Sequence, residues 1–310
     1  MQDKFLNGLI AAPYTPMNEK GKVKPEIIES YVERLKENGL AGVFVCGTTG
    51  EGASLTIEEK KAVLEEWVIQ SAGDLKIIAH VGGTCLPQSI ELAGFASEKG
   101  AFAVAAIAPY FFKPSTAEDL MSFLHPIAGA APGLPFYYYH MPGMTGVDIP
   151  VSSIIPLARK YMPNFAGVKF THFDLMDMQE SIELSNGEFE ILSGFDEILI
   201  CGLSLGLKSA VGSTYNFMPS LYMDMMDAFN KNNLVKARDL QNHAIKIIRI
   251  LNSFGGAVRA GKAIMAFTGL DCGPCRLPIP AMSDAEKAEL KKELKQAGFY
   301  DIMNINRLEL

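Results

Sequence analysis

Residues 164–174 read NFAGVKFTHFD. Phe165, Ala166, Val168 and Phe170 are apolar on both parities of the run, and turn-forming or polar residues stand on either side. A strand with one wet face alternates apolar and polar residues. A short run that is apolar on both parities is covered on both faces, the condition of a parallel strand in an α/β protein. Lys169 interrupts the run. Lysine is almost never fully buried without a partner or a task, so two readings stand. The ammonium snorkels to solvent at the strand end, or the amine is desolvated, its pKa lowered, and it is a nucleophile toward carbonyls.

Seven more runs of the same character lie outward from this one: GLIAAPY (8–14), AGVFVCG (41–47), LKIIAHVG (75–82), AFAVAAIAPY (101–110), LPFYYYHMP (134–142), FEILSGF (189–195) and SAVGSTYN (209–216). Segments of helical period separate them. Ile27, Ile28, Tyr31, Val32 and Leu35 form one stripe, and Val63, Leu64, Trp67 and Val68 form another behind a Thr56…Glu59 capping box. Leu120, Phe123, Leu124, Ile127 and Ala128 form a third after Ser115 or Thr116 as cap, with Pro126 inside it expected to kink or end the helix. A fourth stripe, Leu221, Tyr222, Met225, Met226 and Phe229, follows the last run.

Eight β-then-α units fit a closed parallel barrel or a doubly wound sheet, and eight suits the barrel, which typically takes ~250 residues. The expected architecture is therefore an α/β protein: an eight-stranded parallel β/α (TIM) barrel over residues 1–232 carrying the active site. A C-terminal helical extension over 233–310 is packed on it, with a Ser283…Glu286 capping box near its end.

Composition excludes several classes. The chain has 310 residues, 48% hydrophobic and 20% charged, as in an ordinary globular enzyme. A formal charge of −7 argues against a general nucleic-acid binder, which needs a basic face. The five cysteines, an odd number scattered over a long chain, fit free thiols in a reducing compartment. MQDKFLNGLIAAPYTP lacks the basic region, long apolar core and cleavage site of a signal peptide, and no apolar stretch is long enough to span a membrane. The expectation is a cytoplasmic protein.

In such a barrel the chemistry stands where strands end. The second run ends in CGTTGEG, where Gly47 and Gly50 leave backbone N–H groups free to face an anion beside the hydroxyls of Thr48 and Thr49; the same threonines would also serve as plain caps. In YYYHMPGMTG, Tyr137 and Tyr139 share one face and Tyr138 and His140 the other, to pack or to shuttle a proton. Thr171 follows Lys169. Asp196 and Glu197 follow Gly194, placed to hold hydroxyls or to favour a helix N-terminus, and Ser213, Thr214 and Asn216 close the last run. This polarity at the mouth of apolar strands moves Lys169 toward the nucleophile reading.

Other chemistries are poorly supported. Cys272 and Cys275 form a CxxC without a second pair, the five histidines have no metal-ligand spacing, and no GxGxxG opens a helix. No metal or dinucleotide is expected. Arg259 and Lys262 in VRAGKA lie on a helical stretch and read as surface or interdomain charge.

GTTGE, YYYHMPGMTG, GVKF and GSTYN, in this order and over nearly the whole chain, resemble the pyruvate-dependent class I aldolases of the N-acetylneuraminate lyase and dihydrodipicolinate synthase family. Within it, HVGG, LPFYYYHMP, AVGSTYNFMP and KAIMAFTG are most similar to the animal-type branch that cleaves sialic acids. The resemblance implies an aldehyde-lyase without a cofactor beyond a covalent imine on Lys169. It implies that Tyr139 carries the proton of the C4 hydroxyl, that Thr48 and Thr49 hold the substrate carboxylate, and that Thr171, Gly194, Asp196, Glu197 and Ser213 hold the N-acetylmannosamine part. Small-molecule substrates and a homotetramer go with it. Dihydrodipicolinate synthases carry an arginine at the position of Met144, and methionine cannot clamp a carboxylate. Aldolases and dehydratases of 2-keto-3-deoxy sugar acids remain alternatives, as does a barrel that binds a keto acid or sugar without turnover. Phe111 stands where many family members have a relay tyrosine; Tyr110 is its neighbour.

Overall fold

The computed structural model describes residues 5–302, so the outermost residues of both expected domains, 1–4 and 303–310, lie outside the described residues. The eight apolar runs are eight parallel strands: β1 (Gly8–Ala11), β2 (Gly42–Val45), β3 (Lys76–His80), β4 (Ala103–Ile107), β5 (Phe136–His140), β6 (Phe165–Phe170), β7 (Glu190–Ser193) and β8 (Ser209–Gly212). Each pairs with its neighbours in sequence and β8 pairs with β1, closing a TIM barrel. Both faces of the strands are buried, as their composition requires. Leu6, Ile10, Phe44, Ile78, Tyr137, Tyr139, Ala166, Leu192 and Val211 fill the barrel interior. A larger core, with Tyr138, Phe165, Val168 and Phe170, lies between strands and outer helices.

The helical stripes form the outer ring. Ile28–Glu37 and Ile57–Ser71 meet through Tyr31 and Trp67, whose ring centroids are 5.3 Å apart; each such aromatic buries enough surface to contribute about 2–3 kcal/mol. Thr56 and Glu59 form the capping box read from the sequence, and Thr116 caps the helix Ala117–Gly129. Pro126 does not end that helix, which runs three residues further. It falls in the last turn, where only a short stretch of helix follows the lost N–H, and Ala130 N still donates to Pro126 O at 3.2 Å.

After the barrel come the helices Leu234–Ser253, Gly256–Phe267, Asp284–Gln296 and Phe299–Ile302. The first packs along Pro219–Asn230 and reaches the strand ends, where Gln241 bridges the β7 loop: its Nε2 donates to Asp196 O and its Oε1 accepts from Ile200 N, both at 3.0 Å. Among the described residues no helix is long and apolar enough to cross a membrane.

One irregularity decides the site. Along the β5–β6 ladder Phe136 pairs with Phe165 but Tyr137 pairs with Gly167, so Ala166 is an extra residue in β6. A bulge shifts parity by one. Ala166 faces the barrel interior, Val168 faces the outer core, and Lys169 therefore turns inward beside Tyr139. Glycine is required at the bulge: a Cβ on Gly167 would fall 1.9 Å from Glu190 O of β7.

Candidate active site

Lys169 is 4% exposed and makes no ion pair among the described residues; its Nζ stands 4.2 Å from the ring centroid of Phe44 and 4.1 Å from that of Tyr139. Burial lowers its pKa from 10.5 to about 7, against a smaller raising effect of the Asp196 charge. The two ring faces attract a cation but do not replace a carboxylate or water shell. A large fraction of the amine is therefore neutral near pH 7.

The nine residues singled out from the sequence converge on one cavity of about 180 Å³: Lys169, Tyr139, Thr48, Thr49, Thr171, Gly194, Asp196, Glu197 and Ser213 all line it. Tyr139 OH lies 3.3 Å from Thr48 Oγ1 and 2.8 Å from Met141 Sδ. Burial pushes its pKa up to about 12, which keeps it a phenol. Asp196 is buried; its Oδ2 accepts from Thr214 N at 3.0 Å and Thr214 Oγ1 at 2.6 Å, while Oδ1 has no partner. Desolvation raises the pKa of Asp196 and that of Glu197, which the neighbouring Asp196 charge raises further. Thr171 Oγ1 is also buried and unpartnered within the described chain. An open acceptor and an open hydroxyl in one cavity are suited to a ligand rich in hydroxyl groups.

Two glycines make room for these groups. A Cβ on Gly194 would fall 1.9 Å from Thr171 Oγ1, and one on Gly212 would fall 1.8 Å from Asp196 Oδ1. In the Thr48–Thr49 loop the backbone solution differs from the expected one. Left-handed φ angles occur at Cys46 (58°) and Glu51 (54°), while Gly47 and Gly50 are needed for close approach: a Cβ would lie 2.9 Å from the Phe44 ring at Gly47 and 3.1 Å from Pro13 O at Gly50. Each left-handed non-glycine residue costs about 1–2 kcal/mol and persists only where neighbours enforce it.

For Glu51 those neighbours come from the C-terminal extension, and they decide between the two readings of VRAGKA, since Lys262 is charge between the extension and the barrel. Lys262 is not surface charge. It is 3% exposed, with Nζ 2.7 Å from Glu51 Oε1 and donating to Pro274 O at 2.9 Å. Arg276 N donates to Glu51 Oε2 at 2.7 Å, and the Arg276 guanidinium binds Glu59, Ser54 O and Gly21 O. Arg259 is tied to Glu286, Pro280 O and Ala281 O. The helical extension thus holds the threonine loop from behind. It also roofs the cavity with Ile248, Leu251, Asn252, Ala257 and Val258. Sequence reasoning missed Gln241, Asn252 and Met141, and saw Lys262 without its partner Glu51. Of these only Lys262 carried a signal, a charge inside an otherwise apolar helix face. Asn216, read as a mouth residue, points into the core, where its Nδ2 donates to Ala12 O and its Oδ1 accepts from Tyr31 OH, both at 2.7 Å.

His80 and His140 flank the site without entering the cavity. Burial, with the charges of Lys60 and Lys169, lowers the pKa of His80 to about 3; its Nδ1 donates to Cys46 O at 3.1 Å. Tyr110 is 37%, Phe111 75% and Phe112 87% exposed on the loop after β4.

The model of the dihydrodipicolinate synthetase family matches residues 5–297. An N-acetylneuraminate lyase of Mus musculus is 41% identical over 300 residues, covering 96% of this chain and 94% of that protein. The structure of a Proteus mirabilis N-acetylneuraminate lyase superposes with a TM-score of 0.92 at 38% identity, covering 95% of this chain and 99% of that one. A dihydrodipicolinate synthase of Bacillus anthracis superposes with a TM-score of 0.88 at 28% identity, covering 94% and 98%.

Proposed function

The chain belongs to the dihydrodipicolinate synthetase family, and on that premise we propose that Lys169 carries the Schiff-base chemistry by which this carbon–carbon lyase cleaves N-acetylneuraminate reversibly to N-acetylmannosamine and pyruvate. The observation that carries the assignment is a buried amine, unpaired, with its pKa lowered to about 7, at a cavity lined by hydroxyls and carboxylates.

The roles proposed are those the family resemblance implies, and the shared cavity supports them. Neutral Lys169 Nζ adds to the C2 carbonyl of the open-chain sugar, and loss of water with uptake of one proton from solvent, given back at the final hydrolysis, leaves a protonated imine. The imine accepts the electron pair of the C3–C4 bond as the C4 hydroxyl gives up its proton; N-acetylmannosamine leaves as the aldehyde. The enamine takes a proton at C3, and hydrolysis releases pyruvate and Lys169. Tyr139, a phenol with a pKa of about 12, acts as a relay: it takes the proton of the C4 hydroxyl while handing its own to the substrate carboxylate, and the same path returns that proton to C3 of the enamine, so no standing phenolate is needed. Thr48 and Thr49, with the amides of their loop, hold the substrate carboxylate. Thr171, Asp196, Glu197 and Ser213 hold the polyol, and Gly194 keeps space open for it. Written this way, the reaction needs only the covalent imine and no cofactor.

The division into a barrel of residues 1–232 and an extension of 233–310 is proposed with one refinement, that the extension completes the site. A homotetramer in the cytoplasm accompanies the reading. Phe111 and Phe112, packed edge to face at 5.0 Å, offer an apolar contact, and sedimentation velocity reads the assembly directly. Since Phe111 cannot pass a proton, the relay rests on Tyr139 and Thr48.

Borohydride reduction in the presence of pyruvate tests the assignment. The expected outcome is a pyruvate adduct mapped to Lys169, with release of N-acetylmannosamine from N-acetylneuraminate in the parallel assay. An adduct without that release moves the substrate to another 2-keto sugar acid; absence of any adduct overturns the mechanism.

A further inference from the structure

β5 and β6 carry a second cluster on the side away from Lys169. Tyr138 and Phe170 lie in the outer core, and the His140 ring is 5.2 Å from Phe170 and 5.6 Å from His172, centroid to centroid. The chain leaving the short helix Pro142–Thr145 brings Asp148 back, with Oδ1 3.9 Å from His172 Nδ1. One donor atom from each of His140, Asp148 and His172 lies within 4.8 Å of the other two, the only such trio of His, Cys, Asp or Glu among the described residues. The three are separated by 8 and 24 positions in the chain, which is why linear spacing gave no metal signal.

The chemistry of the trio is that of a ligand set. His140 is 1% exposed and its Nε2 is buried without a hydrogen-bond partner, while its Nδ1 lies 3.3 Å from Tyr138 OH. An imidazole fixed through one nitrogen with the other left open is the arrangement found at ligating histidines. His172 and Asp148 are partly and largely exposed, which gives an ion access and leaves positions for water. Tetrahedral bonds of ~2.0 Å place donors ~3.3 Å apart, and rotation of the exposed Asp148 side chain closes the difference. Two imidazoles and one carboxylate favour zinc, cobalt(II) or nickel over magnesium or calcium.

We propose that His140, Asp148 and His172 bind one divalent transition-metal ion of the zinc or cobalt(II) class on the outer face of β5 and β6. The ion clips the segment 146–150 to both strands. That segment follows Met141, whose sulfur accepts from Tyr139 OH, so the ion braces the stretch beside the relay tyrosine without entering the imine chemistry. The site is separate from the Lys169 reaction and stands or falls independently of it.

Cobalt(II) titration of the chelator-treated full-length protein, followed by visible absorption and calorimetry, tests the site, with His172→Ala and Asp148→Ala as variants checked for native circular dichroism. The expected result is one equivalent bound with ligand-field bands, and affinity lower by at least about tenfold in each variant. Absence of binding, undiminished binding in either variant, or a thiolate charge-transfer band pointing to Cys272 and Cys275 would overturn the proposal.

Discussion

Lys169 and Lys262 are buried to nearly the same degree, 4% and 3% exposed, yet their surroundings differ in kind. Lys262 faces the carboxylate of Glu51 at 2.7 Å and a backbone carbonyl at 2.9 Å. Lys169 faces two aromatic rings and an open cavity. Burial costs a cation its hydration in both places. A paired ammonium recovers that cost and becomes a strut. An unpaired one recovers it by losing its proton, which suits Lys169 to the nucleophile's role proposed for it. The difference between a structural and a reactive lysine lies in the partner, not in the burial.

The largest expected effect is that of Lys169→Met: cleavage falls by roughly 10⁴-fold or more and no borohydride adduct forms. The same variant should be more stable than the parent. The folded-state pKa of Lys169 is about 7 against an ordinary 10.5. Between those values the unfolded chain binds a proton that the folded chain lacks, so stability rises with pH across the window, and below pH 7 the fold carries the whole penalty, on the order of 5 kcal/mol. Urea unfolding at pH 6.5 and at pH 10 measures it: the variant's advantage should be large at the first and nearly gone at the second. An equal advantage at both would mean that the amine is not desolvated.

Lys262→Met breaks the comparison from the other side. It strands Glu51 in the interior and should lower stability by about 3–5 kcal/mol, read by the shift in urea midpoint, while the pyruvate adduct still maps to Lys169. If the adduct moved or vanished in a folded variant, Lys262 would be more than a strut.

Tyr139→Phe keeps the ring over Lys169 but removes the relay hydroxyl, and kcat should fall by ~100-fold with adduct formation retained. An unchanged rate would reduce Tyr139 to packing. Smallest is the effect of pH on the parent enzyme. Imine formation needs the neutral amine, so kcat/KM should fall by about tenfold per pH unit below a pKa of about 7; a profile flat down to pH 5 would place the reactive amine elsewhere.

The barrel was legible because strands buried on both faces must be apolar on both parities, and most of the eight runs were of that kind. The capping boxes at Thr56 and Ser283 were legible because a cap is a local contact of four residues; between Ser115 and Thr116 the sequence left a choice, and Thr116 is the cap. The cavity-lining residues were found because polar groups at the ends of such strands have few other reasons to be there, and eight of them, with Gly194, line one cavity. What escaped were contacts distant in sequence: Lys262 with Glu51, Gln241 with the loop after β7, and the His140–Asp148–His172 cluster. A single sequence reports the type of each residue but not which charge meets which across two hundred positions.

Lys169 itself marks the boundary between the two kinds of information. The sequence by itself determined that a lysine stands in a strand covered on both faces, and that the strands around it number eight. It did not determine which face that lysine takes. Regular alternation from Ala166, which faces the interior, would send Lys169 outward to the helices. Tertiary structure decided otherwise, because β6 pairs with β5 through a bulge at Ala166, with Gly167 admitting the close approach of Glu190 O. One extra residue reverses the parity of every residue after it, and register is settled between strands rather than within one.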